Sequence, residues 1–356
     1  MKTMIVAIWA VNTQAMQQCT LDQRLGSLEK AAEVAYENIT KRLGTLGLGL
    51  GDRPMGLFVV PEYYLAHPAG AGHHQPGDNR HISETEKATV LARLEQLSDR
   101  YKGIVMIPGT VAWRKPILRK ELNDPRTGLP KPLSRQQKAI NAVTRYATDM
   151  NIAHGQALAV PLGNIPAPTT QSKLALLNSG AAGPLINFST VDFLGRSTAY
   201  VLLDGKVKVK YNKRGDFHEV LDNDRTVFVP GILDGRFSLQ ASPPKQRAIS
   251  FGLEICLDHA FGTALRTTPN YGQVDIHIIT SAAVGEQVDY LIAKDNGYIV
   301  HACSSPNASY VKRRTANFFY GSSITTCESF KEVNVHGFEM KFWDVELDLS
   351  IKTNQS

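Results

Sequence analysis

The sequence predicts a layered α/β protein with mixed sheets. Apolar strand patterns and amphipathic helix patterns alternate early in the chain. Its second half is rich in strands separated by turn signals. With 356 residues, 43% of them hydrophobic, the chain can bury a large core.

"TMIVAIWAV" is a short, continuously apolar strand. The opening "MKTMIVAIWAV" superficially resembles a secretion signal. It lacks a small-residue cleavage site and runs at once into "NTQAMQQ", so it reads as a buried strand and the protein as cytoplasmic. From about Ser27 to Leu43, the residues Leu28, Ala31, Ala35, Ile39 and Leu43 fall on one helical face. "MGLFVVPE" is a second buried strand ending at Glu62. Gly47, Gly49 and Gly51 precede that strand instead of following one, which excludes a phosphate loop. Ser83 and Glu86 form a capping box for a second helix. Its apolar face is Leu91, Leu94, Leu97 and Tyr101, and Gly103 suits its C-terminal cap.

"IVMIPGTVAW" follows as a strand. "STAYVLLDGKVKVKYNK" is a hairpin around an Asp-Gly turn. "RAISFGLEIC", "VDIHIITSAA", "GYIVHACSS", "FYGSSIT" and "KFWDVELDLSI" complete the strands. Two stretches break the alternation and read as insertions, residues 66–81 and 114–196. The second contains a helical pattern, "SRQQKAINAVTRYATDM", and a weak segment, "SKLALLNSGAAGPL". Loops of this length are usually lids or binding elements.

The net charge is +6, and its surplus is concentrated. Between Arg114 and Lys138 eight basic residues face two acidic ones. That segment reads either as a solvated loop or as a cap that favours an anionic or extended substrate. It has little aromatic interleaving and no recognisable module, so nucleic-acid binding is not expected. No apolar run reaches the length of a membrane span. Cys19, Cys256, Cys303 and Cys327 are scattered without a CxxC pair. They fit a reducing compartment and exclude a structural zinc motif or a redox dithiol.

Three chemistry-bearing residues end apolar strands: Glu62, Lys213 and Cys256. Each has a bland reading alone, as a surface charge, a hairpin-edge lysine and a buried small hydrophobe. Strand ends are where sites of α/β sheets collect, and together the three make a chemical unit. A lysine lowers a neighbouring thiol's pKa, and a carboxylate can take and return the thiol proton. The ammonium and a backbone N–H after the nucleophile can hold an oxyanion. The reaction class is acyl transfer through a thioester. A Cys-His dyad using His259 or His277 is the rival, but it leaves Glu62 and Lys213 without a role. His73, His74 and His81 lack the helical spacing of a zinc site. Cys303 and Cys327 read as core strand residues, and His301 as a satisfied core histidine.

In order and context these segments resemble the motifs of the nitrilase, or carbon–nitrogen hydrolase, superfamily. Pro61-Glu62 follows a buried strand, Tyr211-Asn212-Lys213 a hairpin, and Cys256-Leu257-Asp258 another strand. "VMIPGTV", "IITSAA" and "YGSSIT" resemble family strands and turns, and the likeness spans nearly the whole chain outside the insertions.

The resemblance implies one carbon–nitrogen hydrolase domain over residues 1–356, a four-layer αββα sandwich commonly dimerised through its helices. It implies Glu62 as general base, Lys213 as oxyanion stabiliser, Cys256 as nucleophile and the Leu257 N–H as oxyanion donor, with no metal or organic cofactor. Glu219 is its supporting glutamate, with Asp216 competing. "IAKDN" departs from the family's helix motif before "GYIVHACSS". Cys-Leu-Asp, where nitrilases carry Cys-Trp-Glu, points to a linear amide or carbamoyl substrate. The alternatives are acyl transfer to an amine, nitrile hydrolysis, and a non-catalytic scaffold that docks a partner.

Overall fold

The computed structural model describes residues 2–49, 51, 54–67, 81–116, 193–214, 226–228, 231, 235–241, 247–260, 262–267, 272–285, 287–305, 307–317 and 321–350. The helical pattern at 134–150, the segment 172–185, most of both insertions, Asp216, Glu219, His73 and His74 lie outside them.

The strands are β1 (Lys2–Trp9), β2 (Gly56–Val60), β3 (Ile82–Ser83), β4 (Ile104–Pro108), β5 (Thr110–Pro116), β6 (Phe193–Leu203), β7 (Lys206–Asn212) and β8 (Thr226–Phe228). They continue with β9 (Arg236–Leu239), β10 (Ile249–Ile255), β11 (Val274–Ser281), β12 (Ala293–Cys303), β13 (Tyr310–Asn317), β14 (Gly321–Thr326), β15 (Lys331–Val335) and β16 (Phe338–Leu347). The helices are α1 (Leu21–Thr45), α2 (Glu84–Arg100), α3 (Leu257–Ala260) and α4 (Thr263–Thr267).

Two mixed sheets result. The first runs β15-β16-β1-β2-β4-β6-β5-β3, with β7 and β8 also paired to β6. The second runs β14-β13-β12-β11-β10-β9. Strands β1, β2 and β4 are mutually parallel, as are β10, β11 and β12.

Burial on both faces explains the continuous apolar runs. Along β1, Ile5, Ala7 and Trp9 pack with α1 and α2. Met4, Val6 and Ile8 point the other way, into a second core shared with Phe251, Leu253 and Ile276 of the other sheet. Phe58 and Leu57 of β2 divide in the same way. Helices, first sheet and second sheet thus form three layers. Among the described residues, the outer face of the second sheet carries only α3, α4 and a 3₁₀ turn, Val288–Tyr290. Ile279 and Ile299 of that sheet cluster with Leu291 and Ala293.

Local sequence accounts for most boundaries. Helix α2 starts at Ser83 with the expected capping box. Helix α1 starts one and a half turns before the expected residue, because Thr20 and Gln23 make a second capping box. "IVMIPGTVAW" is two strands, broken at Gly109. Its φ is +77°, and a Cβ there would lie 2.3 Å from the Pro61 carbonyl oxygen. That close approach seats the β4–β5 turn against the residue before Glu62. Strand β12 begins at Ala293, so "IAKDN" feeds a strand and not the helix the family motif implies. The β-branched and aromatic residues that follow extend it.

Candidate active site

Three strand ends converge. Glu62 follows β2, Lys213 follows β7, and Cys256 follows β10. The Asp204-Gly205 turn, at φ +52° and +74°, fixes the β6–β7 register. Lys213 is then pinned on both sides of its peptide. Its N–H donates to Ser197 O at 2.8 Å, and its carbonyl accepts from the Gly231 N–H at 2.9 Å.

Lys213 Nζ donates to Glu62 Oε1 at 2.7 Å, and both side chains are buried. Burial works against the Lys213 charge. The acidic groups around it, Glu62 first, then Cys256 and Asp258 where ionised, more than offset this and raise its pKa. The Glu62 carboxylate also hydrogen-bonds the Cys256 side chain.

Cys256 is 7% exposed, and its thiol pKa is pushed up to about 12. Burial is the main cause and the Glu62 charge the next. The Lys213 ammonium and a hydrogen bond from the Ala282 backbone act in the opposite direction. The resting pocket therefore holds a carboxylate–ammonium pair beside a neutral thiol.

Backbone strain marks this place. Cys256 has φ +49° and Tyr63, next to Glu62, has φ +61°. Non-glycine residues rarely adopt this region, at a cost of roughly 1–2 kcal/mol each. At Cys256 the N–H still completes the β10–β11 ladder by donating to Thr280 O at 2.8 Å. The chain then turns sharply into α3, whose first residue is Leu257. An N–H at the start of a helical turn has no intrahelical acceptor.

Asp258 is a residue whose task the sequence did not reveal. It is fully buried and takes hydrogen bonds from the Tyr211 hydroxyl at 2.9 Å and from the Arg214 N–H at 3.0 Å. It thereby clamps the chain on both sides of Lys213. Burial raises its pKa to about 7, against the pull of Lys213 and these hydrogen bonds.

His259 and His277 do not reach toward Cys256. His259 Nδ1 and His277 Nε2 each lie 3.0 Å from Glu254 Oε2, and Glu254 Oε1 accepts the Ala264 N–H. The other ring nitrogens accept the Gln287 and Ile292 N–H groups. Each ring is therefore neutral and donates to Glu254, which removes the dyad reading. The three ligand atoms lie close enough to hold a metal. Binding one would require both rings to switch tautomer and face their backbone donors with N–H groups. The cluster is better suited to tying β10, β11, α3 and the β11–β12 connection together.

His301 is only half satisfied. Its Nε2 meets Ser281 Oγ at 2.7 Å, while Nδ1 is buried without a partner among the described residues. Cys303 is buried at the end of β12, whereas Cys327 lies just beyond β14 and is half-buried.

A small pocket is lined by Thr13, Gln14, Arg24, Tyr63, Ala66, His67 and Ala282. Tyr63 follows Glu62 in sequence, and the Ala282 backbone hydrogen-bonds the Cys256 sulfur.

No family model and no curated protein matches the chain. Similar solved structures include a glutamine-dependent NAD+ synthetase from Acinetobacter baumannii, at 13% identity and TM-score 0.43, covering 99% of this chain and 49% of that one. An N-terminal amidase, determined with a Gln-Gly peptide, is similar at 9% identity and TM-score 0.37, over 79% of this chain and 48% of that one. A CN-hydrolase superfamily protein from Xanthomonas campestris, with an arsenic adduct in its active site, is similar at 10% identity and TM-score 0.40. There the coverage is 97% of this chain and 91% of that one. The chain spans about half the length of the first two.

Proposed function

We propose that the chain is a carbon–nitrogen hydrolase of the nitrilase superfamily, cleaving a non-peptide amide or carbamoyl bond through a Cys256 thioester. One observation carries the reading: Glu62, Lys213 and Cys256, 194 positions apart at the extremes, share one buried, electrostatically coupled site.

The chemistry follows from that site. As the sulfur attacks the carbonyl carbon, the thiol proton moves to Glu62. The tetrahedral oxyanion forms against the Lys213 ammonium and the Leu257 N–H. Glu62 returns the proton to the leaving nitrogen as the C–N bond breaks. Water then attacks the thioester while Glu62 takes one of its protons; the C–S bond breaks, Glu62 returns that proton to the sulfur, and the carboxylic acid leaves with the Cys256 thiol restored. The Cys-Leu-Asp sequence at the nucleophile supports an amide over a nitrile. Asp258 serves as a clamp for the Lys213 segment and takes no part in proton transfer.

Purified protein assayed for ammonia or amine release across an amide and carbamoyl panel tests this. Cys256→Ala is expected to abolish release. Mass spectrometry of Cys256→Ser is expected to show an acyl ester on residue 256 where turnover is slow. Release by Cys256→Ala at the wild-type rate would overturn the proposal.

A further inference from the structure

Arg24 is a buried charge that the triad does not explain. It lies in the first turn of α1 and is 1% exposed. Its Nε donates to Cys19 O at 3.2 Å and Nη1 to Tyr64 O at 3.1 Å. Both acceptors are neutral carbonyls. Tyr64 Oη donates back to Arg24 O at 2.7 Å, so the residue is held on two sides. Its remaining nitrogen, Nη2, is buried without a partner among the described residues. Burial disfavours the Arg24 charge, and the groups acting on it electrostatically are the Tyr64 phenol and the Cys19 thiol. Among the described residues they include no carboxylate.

Buried guanidinium groups are almost always paired, because an unpaired charge forfeits its hydration. Arg24 is instead anchored by carbonyls and lines a pocket whose wall includes Ala282, the residue whose backbone hydrogen-bonds the Cys256 sulfur. Carbonyl anchoring fixes the planar fork while leaving its charge uncompensated among the described residues. An incoming oxyanion would then meet a pre-oriented donor at little entropic cost. Thr13 and Gln14 add polar groups to the same wall. The half-exposed His67, paired with Glu86 at 3.3 Å, stands at its side.

We infer that Arg24 is the receptor for an anionic end of the substrate, so that the natural substrate is an amide carrying a carboxylate or similar oxyanion at a distance from the scissile bond. The inference adds a substrate class to the thiol-hydrolase reading, on which its turnover arm rests. Its binding arm does not depend on that reading.

For binding, Cys256→Ala protein is titrated calorimetrically with straight-chain dicarboxylates and with the corresponding neutral diamides. The dicarboxylates are expected to bind more tightly. Arg24→Gln in the same background should weaken them by about 10- to 100-fold, the loss of one or two charge-assisted hydrogen bonds. The diamides should change little. A purely structural role would weaken both classes alike or lower the melting temperature alone, and either result overturns the inference. Where Arg24→Gln does not fold, Ala66→Asp supplies an internal counter-ion on the pocket wall. It should erase the preference for dicarboxylates and leave a folded protein.

For turnover, wild-type protein is assayed on dicarboxylic monoamides, on N-acylated amino acids and on neutral amides of matched length. A preference for either anionic series, expressed chiefly in KM and lost in Arg24→Gln, supports the inference. Cys256-dependent hydrolysis with no such preference overturns it while leaving the hydrolase reading intact. Arg24-dependent dicarboxylate binding without hydrolysis of any amide does the reverse.

Discussion

Replacing Glu62 by Gln should kill turnover and make the Cys256 thiol more reactive at the same time. In the resting site burial first and the Glu62 charge next hold the thiol near 12 against an ordinary value of 9.0, while Lys213 pulls it down. Three units correspond to about a thousandfold less thiolate at neutral pH, or about 4 kcal/mol. Gln removes the carboxylate's share of that shift and leaves the ammonium facing the sulfur. Because nucleophilicity falls as a thiol's pKa falls, with a Brønsted slope of about 0.4–0.5, the gain in alkylation rate is capped at roughly 30- to 60-fold. The assay is iodoacetamide labelling of residue 256 near pH 7, read by peptide mass spectrometry beside amide turnover. Denatured protein provides the accessibility control. Labelling of Glu62→Gln at or below the wild-type rate refutes the assigned electrostatics, since the carboxylate would then not be what suppresses the thiolate.

The remaining predictions concern stability. Lys213→Met strands a buried carboxylate and should cost about 3–5 kcal/mol by urea denaturation, with part recovered in the Glu62→Gln, Lys213→Met double variant. Hydrogen bonds from His259 and His277 outweigh burial and hold the Glu254 pKa at about 2, below its ordinary 4.5. Its stabilisation, roughly 3 kcal/mol, is present above pH 4.5 and lost as pH falls toward 2; Glu254→Gln should flatten that loss. Asp258 has the opposite sign. Its pKa of about 7 lies above its ordinary 3.8, so the folded state binds the extra proton and stability declines as pH rises from 3.8 to 7. Asp258→Asn should remove that decline in the urea midpoint. Zinc or a chelator should leave the melting temperature of the wild-type protein unchanged, because both rings of the Glu254 cluster are locked in the wrong tautomer for a ligand.

Most of the sheet framework was legible because its strands are buried on both faces and therefore read as unbroken apolar runs. The α2 start was legible because Ser83 and Glu86 carry their own signal. The α1 start was not, since Thr20 and Gln23 form the same box in a segment with few apolar residues. The three strand-end residues were visible as types at strand ends. Their contact was not, because it depends on how β2, β7 and β10 come together across two sheets. His259 was misleading for a related reason: three residues from a cysteine it invites a dyad, yet the turn into α3 directs it to Glu254. Arg24 gave no signal at all. In sequence it is one more arginine in a polar first turn, and only the approach of the Tyr64 carbonyl from 40 positions away makes it buried.

Lys213 and Arg24 divide the work by what each already has. Lys213 keeps a negative partner throughout the proposed reaction. The charge starts on Glu62, passes to the sulfur and then to the oxyanion, and each of these faces the same ammonium. The site's net charge therefore never changes during the chemistry, and no step requires a new charge to be desolvated. Arg24 has no such internal partner among the described residues. On the inference above, an anionic ligand supplies that compensation. A neutral amide could satisfy the triad and still leave Arg24 bare. An amide with a distant carboxylate satisfies both, and the binding energy won at Arg24 is what would hold the carbonyl carbon against the sulfur.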